Sequence, residues 1–264
     1  DSFMIDLEDY VPFEQKETAR DLVFKAIKSA NVGNREITVR INSLSTYLGM
    51  KDLEVITRAK VDAIIIPKVE HADDVLKVAG IVQRIEKEEG FPDGSIQLHL
   101  MIETPAGIVN IDSIALCHPR IGALIFGAND YTKETRGKKS TDRIELLYPL
   151  TRMLLAARVA GIDAIDTAYF DPKNIEGLIK HSQITANLGF DGKGVIHPAQ
   201  IEPVNKIFMP SKDEVEFAIR VIEAYEKGEN EGRGAIIVDG KLIDQVHVQT
   251  ARRTLSLANQ AGVS

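Results

Sequence analysis

The sequence predicts an α/β fold, a parallel (β/α)8 barrel of the TIM type that lacks its first strand in this chain and ends in a C-terminal helical lid or arm. Short runs rich in Ile and Val alternate with segments of helical period almost to the end of the chain, the pattern of a parallel sheet wrapped by helices. No Gly- or Pro-rich linker interrupts that alternation. The first strand run leads into Glu8-Asp9-Tyr10, not into the glycine-rich turn that opens a doubly wound nucleotide-binding sheet. With 264 residues, 44% of them apolar, the chain is long enough for one such domain.

The strand runs are residues 3–7, 37–41, 63–67, 96–102, 123–126, 164–166 and 194–196. Between the first two, Ala19, Leu22, Val23, Ala26, Ile27 and Ala30 fall on one helical face. Val75, Leu76, Val78, Ala79, Val82 and Ile85 make a second such face, and Leu146, Leu147, Leu150, Leu154, Leu155 and Val159 a third. Seven βα units are one short of eight, and because Asp1 opens almost directly on a strand, the absent unit is expected to be the first. From about residue 211 the pattern changes to a helix through Tyr225, a polar stretch from Gly228 to Gly234, a short Ala235-Ile-Ile-Val238 strand, an Asp239-Gly240 turn and a final helix from Val246. The expected organisation is a barrel domain over residues 1–210 and a helical extension with a lid segment over 211–264.

Composition narrows the function. The 32 basic and 39 acidic residues leave a net charge of -7, which offers no surface to attract nucleic acid or anionic lipid. One cysteine, Cys117, excludes an intrachain disulfide framework and a cysteine-rich zinc site, and is expected to be a small core residue. No stretch approaches the roughly 18 apolar residues of a membrane span and no signal peptide opens the chain, so a soluble, cytoplasmic protein is expected.

In parallel barrels the chemistry lies at the carboxyl ends of the strands. Here those ends offer Asp6, Glu8 and Asp9; Arg40 and Asn42; Lys68 and Glu70; Glu103; Asn129 and Asp130; Asp166; and His197. Carboxylates gathered at one mouth repel unless a cation lies between them, and an all-oxygen ligand set favours Mg²⁺ over zinc. Several of these residues also have ordinary readings. Glu103 and Asp130 could cap or favour helix starts, and Asp166 could cap the helix near Pro172; it is read as structural. His197 reads as a hydrogen-bonded packing residue. Arg40 calls for an anionic partner, either Glu8 or Asp9 or a substrate anion. The Gly127-Ala128-Asn129 turn could present backbone N–H groups to a carboxylate.

In order, Asp6-Leu-Glu-Asp9, Val39-Arg-Ile-Asn42, Ile66-Pro-Lys68, Ile102-Glu-Thr-Pro-Ala-Gly107, Phe126-Gly-Ala-Asn-Asp-Tyr131 and Gly194-Val-Ile-His-Pro198 resemble the citrate lyase beta-subunit and malyl-CoA lyase family. The resemblance runs from Asp6 to about Arg253, and it is most specific in the fourth and fifth motifs. It implies a barrel enzyme, usually a homotrimer with shared active sites, that makes or breaks a C–C bond beside a CoA thioester with Mg²⁺, releasing or consuming a 2-oxo acid. By motif, Glu103 and Asp130 match the metal ligands, with Glu8 and Asp9 around them, and Arg40 matches the arginine on the substrate oxygens. Gly240-Lys-Leu-Ile-Asp244 matches the family's lid, which makes Asp244 the acid/base and implies that it reaches into a neighbouring subunit. Ala128 and Asn129 would hold the carboxylate of the 2-oxo acid through their amides. Lysines and arginines are scattered, so the residues that hold the CoA nucleotide are unassigned. The alternatives are a thioesterase or synthase of the same family, an aldolase for free 4-hydroxy-2-oxo acids, to which Asp244 is foreign, and an inactive structural subunit working with other citrate lyase subunits.

Overall fold

A computed structural model describes residues 1–230 and 234–262. Its elements begin β1 (Ser2–Asp6), α1 (Lys16–Ser29), β2 (Glu36–Arg40), α2 (Tyr47–Ala59), β3 (Ala63–Ile66), α3 (Ala72–Glu89) and β4 (Gln97–Ile102). Two short helices, α4 (Pro105–Val109) and α5 (Ile111–Ala115), precede β5 (Ile121–Phe126), α6 (Ala128–Thr135), α7 (Leu147–Ala160) and β6 (Asp163–Asp166). Then come α8 (Ile175–Leu188), β7 (Gly192–Lys193), α9 (Ile201–Phe208), α10 (Lys212–Asn230), β8 (Ile236–Val238), β9 (Lys241–Ile243) and α11 (Gln245–Ala261). Two compact units form: Asp1–Tyr169 with Asn187–Gly194, and Phe170–Ala186 with Val195–Ser264. The boundary expected near residue 211 falls inside the second.

The first unit holds a seven-stranded sheet whose strands follow sequence order, every neighbouring pair parallel. That order is the one a barrel uses, whereas a doubly wound sheet reverses order at a switch point. Among the described residues β1 and β7 do not pair with each other, so the sheet is a seven-stranded parallel array and not a closed eight-stranded barrel. β3 is buried along its whole length and β2 over all but its first residue, as expected of parallel strands covered on both faces.

The register fixes which residues end side by side. Asp6 lies opposite Arg40, and Ile102 opposite Phe126, so the loops carrying Glu8, Glu103 and Gly127 leave the sheet at the same edge.

Several expectations need correction. The last strand is Gly192–Lys193, not residues 194–196, and Val195 and Ile196 are largely exposed. Lys193 is drawn into the sheet by Asp166, a pull that an apolar-run criterion does not see. On α7 the buried stripe is Leu150, Met153, Ala156 and Ala157, while Leu147, Leu155 and Val159 face outward. On α1 the buried residues are Arg20, Val23 and Ile27, and Leu22 is exposed. α3 follows the expected face except for Leu76. Cys117 is half-buried and not a core residue.

In the second unit, β8 and β9 form an antiparallel hairpin turned at Asp239 and Gly240, whose φ values of 50° and 76° suit a tight hairpin turn. Ala218 and Val221 of α10 pack with Val238, Ile243 and with Val248 and Ala251 of α11 in one apolar cluster. The polar stretch begins as the end of α10, and its residues 231–233 lie outside the described residues. Among the described residues no helix is long and apolar enough to cross a membrane.

Candidate active site

The site grows from the Asp6–Arg40 pairing. Arg40 is buried at the end of β2, and its Nε and Nη2 donate to Asp6 Oδ1 and Oδ2 at 2.5 and 2.8 Å. The sequence pointed to Glu8 or Asp9 as its partner; the principal one is Asp6, which the β1–β2 register sets directly opposite. The remaining nitrogen, Nη1, approaches Glu8 Oε2 at 3.2 Å and Asp9 Oδ2 at 3.7 Å. Tyr10 lies beside the guanidinium, 5.6 Å from its ring centre, a neighbour the sequence reading missed. Burial would raise the Asp6 carboxyl, but Arg40 and the backbone N–H groups of Tyr10 and Glu8 outweigh it and hold Asp6 below its ordinary range.

Glu8 is buried in the loop after β1. Its Oε1 accepts from Lys68 Nζ at 2.7 Å, while Oε2 is buried with no hydrogen-bond partner. Burial raises the Glu8 carboxyl, and the cations Lys68 and Arg40 only partly offset it. Lys68 follows β3 with a left-handed φ of 51°, and its backbone N–H donates to Glu103 Oε1 at 3.0 Å.

Glu103 follows β4 and is 2% exposed. It does not cap α4: that role belongs to Thr104, whose side chain accepts from Gly107 N–H. Burial first, then the charges of Glu8 and Asp130, push the Glu103 carboxyl up to about 8. Gly127 gives it room, because a β-carbon there would lie 2.4 Å from both Cβ and Oε2 of Glu103.

Immediately after Gly127 begins α6, which places Ala128 and Asn129 at its start and Asp130 in its first turn. Their amides belong to the helix end that has no intrahelical acceptors. Asn129 is exposed and its Oδ1 accepts from Lys139 Nζ at 2.7 Å.

Other strand-end residues serve elsewhere. Asn42 bonds to Asp52 and to the Leu7 carbonyl. The Glu70 carbonyl accepts from Asn110 Nδ2. Asp166 does not cap a helix; it is fully buried between Arg143 at 2.7 and 2.8 Å and Lys193 at 2.7 Å. Those cations overcome the effect of burial and hold its carboxyl at about 2.

In the second unit, His197 Nδ1 accepts from Ala199 N–H in a short turn. Asp244 caps α11, its Oδ1 accepting from Val246 N–H at 3.0 Å and His247 N–H at 3.3 Å, with His247 Nδ1 at 2.7 Å. The bond to His247 leads the contacts that hold the Asp244 carboxyl below its ordinary range.

The first unit therefore gathers one buried carboxyl whose pKa is raised, two more acids within its field, and a guanidinium. Glu103 offers Oε2, and Glu8 Oε2, without a hydrogen bond but 3.2 Å from Arg40 Nη1, is a second hard oxygen donor in a site whose negative charge disfavours its own ionisation. This donor set fits a divalent hard cation such as Mg²⁺, which tolerates few protein carboxylates and completes its shell with water and substrate oxygens. Among the described residues no group of three or more His, Cys, Asp and Glu forms an all-protein cage.

Residues 1–198 match the HpcH/HpaI aldolase/citrate lyase family, and the chain belongs to that family. It is 39% identical over 258 residues to the citrate lyase subunit beta of Haemophilus influenzae, covering 98% of this chain and 89% of that protein. It is 40% identical over 258 residues to a (3S)-malyl-CoA thioesterase of Cereibacter sphaeroides, covering 98% and 86%. Among solved structures, protein CitE of Mycobacterium tuberculosis, in complex with magnesium, acetoacetate and coenzyme A, is 28% identical with a TM-score of 0.76, covering 97% of this chain and 89% of that one. A citrate lyase of Burkholderia xenovorans, 20% identical with a TM-score of 0.85 over 99% of this chain and 84% of that one, shares the fold.

Proposed function

We propose that this chain is a Mg²⁺-dependent carbon–carbon lyase. It cleaves a 3-hydroxyacyl-CoA of the citryl-, malyl- or citramalyl-CoA kind to acetyl-CoA or a related acyl-CoA and a 2-oxo acid. The observation that carries this reading is the Glu103 carboxyl, 2% exposed, which burial and the charges of Glu8 and Asp130 push up to about 8. Such a charge arrangement is costly without a cation and has no use in a packing role. The likeness to a structure that holds magnesium and coenzyme A supports it.

Glu103 and Asp130 would hold the ion, with Glu8 and Asp9 around it. When bound, Mg²⁺ supplies a Lewis acid for the hydroxyl and carboxylate oxygens of the substrate. Arg40 stabilises negative charge on substrate oxygens through Nη1, the edge that Asp6 does not occupy. Ala128 and Asn129 direct their amides to the carboxylate of the 2-oxo acid.

Cleavage between the second and third carbons turns the 3-hydroxyl into the ketone of the 2-oxo acid, its proton passing to solvent, and moves the bonding electron pair onto the carbon next to the thioester, which must gain a proton. Asp244 delivers it, and takes it back in the condensation direction. Asp244 acts from the lid of a neighbouring subunit in a homotrimer, and the enzyme works in the cytoplasm, alone or with other citrate lyase subunits.

Incubation with citryl-, malyl- and citramalyl-CoA and chromatographic separation of the products tests this reading. An acyl-CoA shorter than the substrate is expected from one of the three, and no turnover of any would defeat it. The identity to a malyl-CoA thioesterase favours a second reading, hydrolysis of the thioester, whose product is free CoA.

A further inference from the structure

Glu8 is held from the mouth side by Lys68 and Arg40, but its backbone is gripped from behind. The Leu7 carbonyl accepts from Lys16 Nζ at 2.9 Å and from Asn42 Nδ2 at 2.9 Å, and the same Lys16 ammonium donates to the Glu8 carbonyl at 2.6 Å. Lys16 forms no ion pair among the described residues, so these two carbonyls are where its charge is used. Lys16 opens α1, and Arg20, one turn later on the same face, donates through Nε to Asp52 Oδ1 at 2.6 Å. Asp52, fully buried on α2, accepts the Asn42 N–H at 2.9 Å and its Nδ2 at 2.5 Å through Oδ2. Asn42 is thereby fixed from α2 while it reaches Leu7, two residues beyond Arg40 in the chain.

The geometry points to Lys16 and Asn42 as positioning residues: they clamp the Leu7–Glu8 peptide so that the Glu8 carboxylate stays against Arg40 and Lys68. Neither touches the reacting groups. Both act through a backbone whose next hydrogen bonds, Glu8 N–H to Asp6 Oδ1 and Tyr10 N–H to Asp6 Oδ2, each at 3.0 Å, tie the same segment to the carboxylate that holds Arg40. Release of the rear clamp therefore loosens Glu8, Asp6 and Arg40 together. This extends the lyase reading and rests on it for the effect on turnover.

Lys16→Met keeps the aliphatic stem and removes the ammonium, and Asn42→Ala removes the second donor. Amide hydrogen exchange of the metal-free protein reads the clamp without any catalysis. In either variant the Glu8 and Tyr10 amides should exchange about 10-fold faster, with amides of β4 unchanged, because the opening is local. On the cleaved thioester, Lys16→Met should lower kcat about 10-fold with KM within about twofold, since the bound geometry and not the binding surface is altered. Lys16→Arg, which restores a cationic donor, should recover most of both effects. Unchanged exchange at Glu8 and Tyr10 in both variants overturns the proposal, as does faster exchange with normal kcat. If the parent protein cleaves none of the thioesters, the lyase reading falls on its own, and the exchange measurement still decides whether the clamp exists.

Discussion

Gly127 stands against Glu103: a β-carbon added at Gly127 would sit 2.4 Å from both Cβ and Oε2 of the buried acid. The backbone at Gly127 has φ −102°, which any residue adopts, so the demand for glycine there is one of space and not of conformation. Gly127→Ala should therefore displace Glu103. The expected result is a loss of about 1–3 kcal/mol in denaturant unfolding, the usual range for overpacking, together with loss of Mg²⁺ binding in calorimetry. Full Mg²⁺ affinity in this variant would show that Glu103 does not hold the ion.

The Glu103 carboxyl, raised from 4.5 to about 8, gives a signed pH dependence. Between those values the unfolded chain has lost a proton that the folded one keeps, so metal-free stability falls as pH rises through that window. A bound cation requires the ionised form. Mg²⁺ affinity should accordingly climb up to about pH 8, with release of a proton on binding below it. Calorimetry in buffers of different ionisation enthalpy measures that proton. Glu103→Gln should abolish both the binding and the pH slope, while thermal unfolding in chelator at pH 7 stays close to that of the parent. A pH-independent affinity in the parent would contradict the assignment.

Arg40 engages both oxygens of Asp6 with two nitrogens and turns the third, Nη1, to Glu8 Oε2 at 3.2 Å. A lysine has one point charge and no planar fork. Arg40→Lys should lower turnover by about 100-fold, the scale expected when a charged group is misplaced by about 1 Å. Steady-state kinetics on the preferred thioester checks this, and near-normal turnover would remove Arg40 from the site.

Much of the strand framework is legible in the sequence, because β1 to β6 are short runs, largely apolar, between helical segments. The exceptions have physical causes. α7 is apolar nearly all round, so periodicity permits two stripes, and only packing selects the one with Leu150, Met153 and Ala157. β7 is two residues long and contains a charged lysine, whose burial depends on Asp166 and, through it, on Arg143, residues separated by 27 and 23 positions. At the site, the acids and Arg40 follow from strand-end position. The Asp6–Arg40 pairing needs the β1–β2 register, and the clamp through Lys16 and Asn42 needs backbone carbonyls, which no residue pattern displays.

Asp244 caps α11 and is about half exposed, so its capping role and its proposed catalytic role make different predictions. Asparagine caps about as well as aspartate, so Asp244→Asn should leave thermal unfolding unchanged, whereas Asp244→Ala should cost about 1 kcal/mol. Because asparagine carries no exchangeable acid proton, turnover should fall by about 100-fold or more in Asp244→Asn. If the lid serves a neighbouring subunit, mixing Asp244→Asn with Glu103→Gln protomers should restore part of the activity. A fully active Asp244→Asn enzyme would leave Asp244 as a cap alone, and no recovery after verified subunit exchange would remove the shared site.

The most direct measurement is the product balance on the preferred thioester, taken with Mg²⁺, with chelator, and with Glu103→Gln. Carbon–carbon cleavage predicts a shorter acyl-CoA and a 2-oxo acid in equal amounts, formed only by the parent enzyme and only with the metal. Free CoA accompanied by an intact hydroxy acid, or cleavage that persists in chelator or in Glu103→Gln, would contradict a Mg²⁺-dependent lyase built on Glu103.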